Sequence, residues 1–243
     1  MDPATTAQAE PTHPQLVTTS ELQSLNGSRH QTYYMETITF KVEGCLFKVP
    51  RHNLEHRSQI FGTASTLPSG DETAEGQSDE KPVELEGVER VDFQALMKAL
   101  YPLDLQQIYK NKDAWMTKEE WVSVLKLASK WFFVDLRELA IYALSNRDDV
   151  QSVERIVWGR QYDVPDWLRK GYTELGCRPD SSITEDEARI IGWEAAFRLI
   201  QARESAMRGY HGWDSYSLQS VSQYIESTFS DEFRQTELAS SDF

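Results

Sequence analysis

Cysteine is nearly missing from this chain. Cys45 and Cys177 are the only two among 243 residues, far apart and without CxxC spacing. That is too few for the disulfide framework of a small secreted domain and suits thiols in a reducing compartment. No apolar run reaches the roughly eighteen residues that a membrane-crossing helix requires. The first residues, MDPATTAQAEPTHPQ, have neither the basic start nor the apolar centre of a secretory signal. Positive charge is scarce as well: 25 Lys and Arg stand against 39 Asp and Glu, a formal charge of −14. Binding to nucleic acid or anionic lipid needs clustered cations that displace counterions. Neither nucleic acid nor membrane is therefore expected as a direct partner. The basic cluster of a nuclear import signal is missing, as are GxSxG, P-loop and GxGxxG motifs. These absences predict an intracellular protein, in the cytoplasm, the nucleus or both.

What is present supports a packed core. The chain is 40% hydrophobic and 11% aromatic, which excludes wholesale disorder, and its length suits one large or two small domains. Ile38, Phe40 and Val42 alternate with Thr39, Lys41 and Glu43, the pattern of a strand with one apolar face. Glu43-Gly44 offers a two-residue reversal, and Cys45, Phe47 and Val49 resume the alternation until Pro50. Leu54, Ile60 and Phe61 then suggest helical turns beneath a hairpin. Residues 1–31 are rich in Thr, Gln, Ser, Ala and Pro and read as a disordered lead-in, while Thr66 to Lys81 reads as a solvated acidic loop.

Helical periods follow. Phe93, Leu96, Met97 and Leu100 form one stripe. Thr117, with Glu119 and Glu120 behind it, is placed to cap a helix whose buried face is Trp121, Val122, Leu125, Ala128, Trp131 and Phe132. Asp135 reads as the cap of the next, with Leu136, Leu139, Ala140 and Leu144 inward. Val153, Ile156 and Val157 mark another, and Pro165 opens a segment carrying Trp167, Leu168 and Tyr172. Thr184-x-x-Glu187 is a capping box ahead of Ala188, Ile191, Ala195 and Leu199, predicting one continuous helix. Leu218, Val221, Ile225 and Phe229 predict an amphipathic helix over 215–229, after which the end frays from Ser230.

Three patterns invite a chemical reading. His52-Asn53-Leu54-Glu55-His56 is an H-x-x-E-H run, which on a helix sets two imidazoles on one face to grip zinc while the glutamate activates water. Its alternative reading is the polar face of a short helix around Leu54, and no third ligand is nominated, so zinc-peptidase chemistry is the remote reading. Ser123-x-x-Lys126 matches the S-x-x-K of serine acyl-enzymes but lacks its companion motifs and reads as a solvated helix face. Of seven tryptophans, Trp121, Trp131, Trp158, Trp167 and Trp193 sit on helices and are expected in the core. Trp115 and Trp213 lie in less regular segments and are the contact candidates. Neither a catalytic residue nor a cofactor is assigned.

The run from Thr37 to Phe61 resembles the start of a BTB/POZ domain, carried by Phe47, Arg51, Leu54, Ser58 and Phe61 at their spacing. Pro82-Val83-Glu84-Leu85 looks like that family's third strand, Val91 to Pro102 like its helix ending in a tyrosine, and Glu119 to Leu144 like its last helix pair. The chain is also similar to the BTB proteins of mushroom-forming fungi, which carry a helical C-terminal part. The resemblance implies an α+β fold: a BTB/POZ domain over 32–147, with a small hairpin sheet flanked by helices and the acidic loop at 66–81. A helical extension over 148–205 and a weakly ordered tail over 206–243 follow it.

The resemblance implies an interaction module rather than an enzyme, acting by homo- or hetero-oligomerisation with protein partners. The alternative it implies is a substrate adaptor of a cullin-type ubiquitin ligase. Arg51 matches the arginine of the family's charged pocket. Its aspartate partner at the first strand is Thr37 here, with Glu36 beside it, and Pro50 replaces the histidine before the arginine. Glu36, Thr37 and Arg51 are the candidate interface residues. The hydrophobic–x–Glu motif of cullin adaptors has no counterpart in the acidic loop, where Leu67 is followed by Pro68 and Ser69.

Overall fold

The computed structural model describes residues 28–31, 33–66, 75–103, 115–178, 182–208, 218–241 and 243. Contacts divide the chain into two units, Met1–Glu36 and Thr37–Phe243. The second is α+β and mostly helical, with one three-stranded mixed sheet in the order β2-β1-β3.

Strands β1 (Thr37–Val42) and β2 (Cys45–Pro50) pair antiparallel from Thr37↔Pro50 to Val42↔Cys45. Glu43 and Gly44 both take positive φ, 46° and 76°, the geometry that lets a two-residue turn follow the twist of its strands. Phe40 and Val42 are fully buried, as their alternation predicts. Thr39, predicted on the solvated face, is fully buried too. The acidic loop is the reason. Its distal part, residues 75–81, is tied to the sheet through buried Gly76 while most of its residues stay exposed: the Thr39 amide donates to Gly76 O at 2.8 Å and the Gly76 amide donates to Lys81 O. β3 (Val83–Glu84) then runs parallel to β1, and the Leu85 amide extends the ladder to Lys41 O.

Helices α1 (Arg51–Arg57) and α2 (Gln59–Thr66) follow the hairpin without a linker, parted only at Ser58. α3 (Arg90–Leu100) buries Phe93, Leu96, Met97 and Leu100 as its stripe predicts. α4 (Lys118–Lys130) opens on Thr117, where both halves of a capping box form with Glu120. α5 (Val134–Ser145) starts right after Phe133, earlier than the predicted cap; Asp135 lies in the first turn. Phe132 and Leu139, predicted inward, are 36% and 43% exposed. Phe132 adopts φ +53° in the tight α4–α5 reversal, which swings its ring outward and leaves Phe133 to enter the core.

Beyond residue 147 come α6 (Ser152–Gln161), α7 (Pro165–Gly176), α8 (Glu185–Ile191), α9 (Trp193–Arg208), α10 (Leu218–Thr228) and α11 (Ser230–Ser240). Two apolar cores result. The first joins the sheet to α1 and α3–α5 around Phe40, Phe93, Leu125 and Phe133; the second joins α6–α11 around Ile156, Leu168, Tyr172, Val221 and Phe229. The seam does not fall at 147. Val150, Tyr162, Val164 and Trp167 belong to the first core, whereas Ile156, Leu168 and Tyr172 belong to the second. α6 and α7 thus form a hairpin between the cores. They touch through glycine: a Cβ on Gly171 would stand 2.7 Å from Ser152 O, and one on Gly159 2.9 Å from Leu168 Cγ.

Two further expectations need correcting. The helix opened by the Thr184–Glu187 capping box is broken at Gly192, whose φ of +94° no helix accommodates. The break turns Trp193 away from the core, and it is 61% exposed. The tail does not fray at Ser230 either. α11 is a helix, held by Phe233, 2% exposed, and buried Thr236. Its composition is polar because a single narrow side faces inward. Among the described residues no helix is long and apolar enough to cross a membrane.

Candidate interaction surface

The hairpin sets the position of the predicted interface residues. Because Thr37 pairs with Pro50, the exposed start of β1 lies beside the first residue of α1, Arg51. Arg51 does not turn to an acid on β1. Its Nε donates to Glu55 Oε1 at 2.9 Å, one helical turn ahead, and the two side chains are 31% and 29% exposed. Arg51 and Glu55 thus form an ion pair within α1. Glu36 is exposed and closes the first unit, where Tyr33, Tyr34 and Met35 are exposed as well.

α1 is anchored from below. Leu54 is 1% exposed, the Asn53 side-chain amide donates to Leu100 O at 3.2 Å, and the Tyr101 hydroxyl donates to Pro50 O at 2.5 Å. Burial pushes the Tyr101 hydroxyl up to about 12. The tyrosine at the end of α3 therefore ties that helix to the strand–helix junction. Among the described residues β2 has β1 as its one neighbour in the sheet, so its other side is a sheet edge. Leu46 on this strand and Ile60 on α2 are 45% and 43% exposed.

The H-x-x-E-H residues sit on this same helix. His52 and His56 are exposed with ring centroids 4.2 Å apart, on one face as the spacing requires. Glu55 is held by Arg51 instead of standing between them. Among the described residues no group of three His, Cys, Asp or Glu is placed to hold a metal ion.

Lys126 is exposed and Ser123 half-buried, and both reach across from this face to α3. Asp92, 6% exposed on α3, accepts from Ser123 Oγ at 2.6 Å and from Lys126 Nζ at 2.6 Å. The Asp92 hydrogen bond holds the Lys126 ammonium above its usual range. A lysine that activates a serine must first lose its proton. Here the lysine keeps it and the serine donates its own to a carboxylate. The pair clamps α3 to α4.

Two grooves lie beyond the predicted residues. One, of about 590 Å³, opens beside β3 and is lined by Glu43, Glu84, Glu86, Glu89 and a single cation, Lys41, around Leu85 and Val88. Its acidic rim repels anions. The other, of about 440 Å³, lies between α9 and α11 and is lined by Arg160, Arg198, Glu194, Asp231 and Glu232. Arg160 is spent on structure, donating to Glu232 at 2.7 Å, to the Tyr172 hydroxyl and to Ile191 O.

Of the tryptophans, Trp121, Trp131 and Trp167 are buried and Trp158 is half-buried against Trp167. Trp115 is half-buried, edge-on to Trp121 at 5.6 Å, and Trp213 lies outside the described residues. The exposed side of α9 and the Asp92 clamp were missed by sequence reasoning. Gly192 inside a helical period was the one signal for the former. The chain matches no protein-family model and no curated protein sequence.

Proposed function

We propose that residues 32–147 form a BTB/POZ domain and that the protein is an interaction module that oligomerises through it, a scaffold or regulator without catalysis. The observation that carries this reading is the sheet. A hairpin passes straight into two short helices, and the chain then returns as a strand parallel to β1, followed by α3 and the α4–α5 pair. That is the order the resemblance implies. The outer edge of β2, a strand that carries exposed Leu46, offers a second chain both backbone hydrogen bonds and apolar contact. Light scattering coupled to gel filtration tests it. The expected mass is a multiple of the 28.0 kDa chain. A clean monomer at high concentration would sink the reading.

The cullin-adaptor alternative draws support from one feature. The helical extension is welded to the first core by α6 and α7, so it would widen a single binding face. Titration with a purified cullin N-terminal domain decides it, and no binding at micromolar concentration would reject it.

A further inference from the structure

His52 and His56 are exposed on α1, one helical turn apart, with ring centroids 4.2 Å from each other. Among the described residues neither ring has a hydrogen-bond or ion-pair partner. Their separation suits a shared ion. A first-row divalent metal bonds an imidazole nitrogen at about 2.0–2.1 Å, which sets each ring centre about 3.2 Å from it. Two such rings stand roughly 4.5 Å apart at adjacent corners of a square and roughly 5.2 Å apart at two corners of a tetrahedron. The pair in α1 is close to the square arrangement before any ion arrives. Its surroundings suit a cation too. The guanidinium groups that flank it are already answered, Arg51 by Glu55 at 2.9 Å and Arg57 by Asp135 at 3.5 Å. A chain with a formal charge of −14 draws cations to its surface.

We propose that His52 and His56 chelate one divalent transition-metal ion side by side, Cu(II) most tightly, with water in the remaining positions. Imidazole donors in a square arrangement favour Cu(II), which also heads the order of affinities for such ligands. Calcium and magnesium, which select oxygen ligands, are poor occupants. The site holds its ion without hydrolytic chemistry. Glu55, the residue that would activate water in an H-x-x-E-H peptidase, is engaged by Arg51. What the ion does is brace α1. That helix has seven residues, no side-chain bond at its N-cap, and Leu54 and Asn53 as its anchors beneath. A bridge between positions i and i+4 closes one full turn, the step at which a short helix is costly to form. The chelate needs α1 alone and does not rest on the BTB reading.

Titration of the full chain with Cu(II), followed by electron paramagnetic resonance, tests it. One equivalent is expected to bind, with splitting from two imidazole nitrogens. The second bond of a chelate forms at high effective concentration, so His52→Asn and His56→Asn are each expected to weaken binding at least tenfold and to leave one imidazole nitrogen. His30→Asn, outside α1, is expected to change neither affinity nor spectrum. Both α1 rings are exposed, and unchanged metal-free circular dichroism melts confirm that the variants fold. The readout is the ion's own spectrum and its ratio to chain, so association through β2 does not enter it. Undiminished binding in either α1 variant overturns the proposal. So does a spectrum of the unaltered chain with one imidazole nitrogen or none, the mark of an adventitious ion only. Half an equivalent with four nitrogens overturns it as well, since two chains would then share the ion.

Discussion

The Ser58 hydroxyl donates to the carbonyl oxygen of Trp131 at 2.6 Å, across 73 positions of sequence, and in turn accepts from the Phe61 amide. One buried side chain therefore opens α2 and closes α4. Replacing Ser58 with Ala leaves the Trp131 carbonyl buried without this donor, which costs about 1–3 kcal/mol. Urea denaturation at neutral pH measures it. A loss below a few tenths would show that water replaces the hydroxyl.

Tyr101 gives alkaline sensitivity. Its pKa is raised from 10.0 to about 12 by burial, so unfolded chains release this proton first. The stability it contributes is whole below pH 10 and drains away as pH climbs towards 12. Tyr101→Phe removes the bond to Pro50 and flattens that part of the stability curve, read by urea melts at successive pH values.

The Asp92 clamp predicts a salt-sensitive loss. Lys126→Gln leaves the nearly buried carboxylate with Ser123 alone, while the lysine head itself is 44% exposed. The cost is about 1 kcal/mol at low ionic strength and less in high salt. Asp92→Asn keeps the shape and reports the charge alone; a loss that high salt leaves unchanged in both variants would refute an ionic role.

Gly171→Ala drives a methyl group to 2.7 Å from the Ser152 carbonyl at the α6–α7 crossing. Overpacking at such a contact costs about 1–3 kcal/mol. The thermal midpoint should fall, and an unchanged midpoint would mean that the two helices part without penalty.

How far the sequence reveals this fold depends on where each partner lies. The hairpin was legible because Ile38, Phe40 and Val42 announce their own face and Glu43-Gly44 its reversal. The burial of Thr39 was not, because the cover comes from residues 75–81, which carry no apolar period. Capping at Thr117 and Thr184 was legible from four adjacent residues each. The outward turn of Trp193 was not, since the helical period runs through Gly192 and hides the positive φ there. α11 escaped notice because Phe233 and Thr236 are a thin inward face on a polar helix. At the candidate interface, Thr37 and Arg51 are indeed brought side by side. The arginine's partner, Glu55, stands at the i,i+4 spacing that brings opposite charges together on a helix, a signal that the family comparison with β1 passed over.

The α6–α7 hairpin has one last consequence. A wall shared by two rooms cannot be removed from only one of them. Val150, Tyr162, Val164 and Trp167 plug the first core from the same hairpin whose Ile156, Leu168 and Tyr172 fill the second. The two halves should therefore melt together as a single cooperative event, and a fragment ending at 147 would carry an open wound in place of a surface.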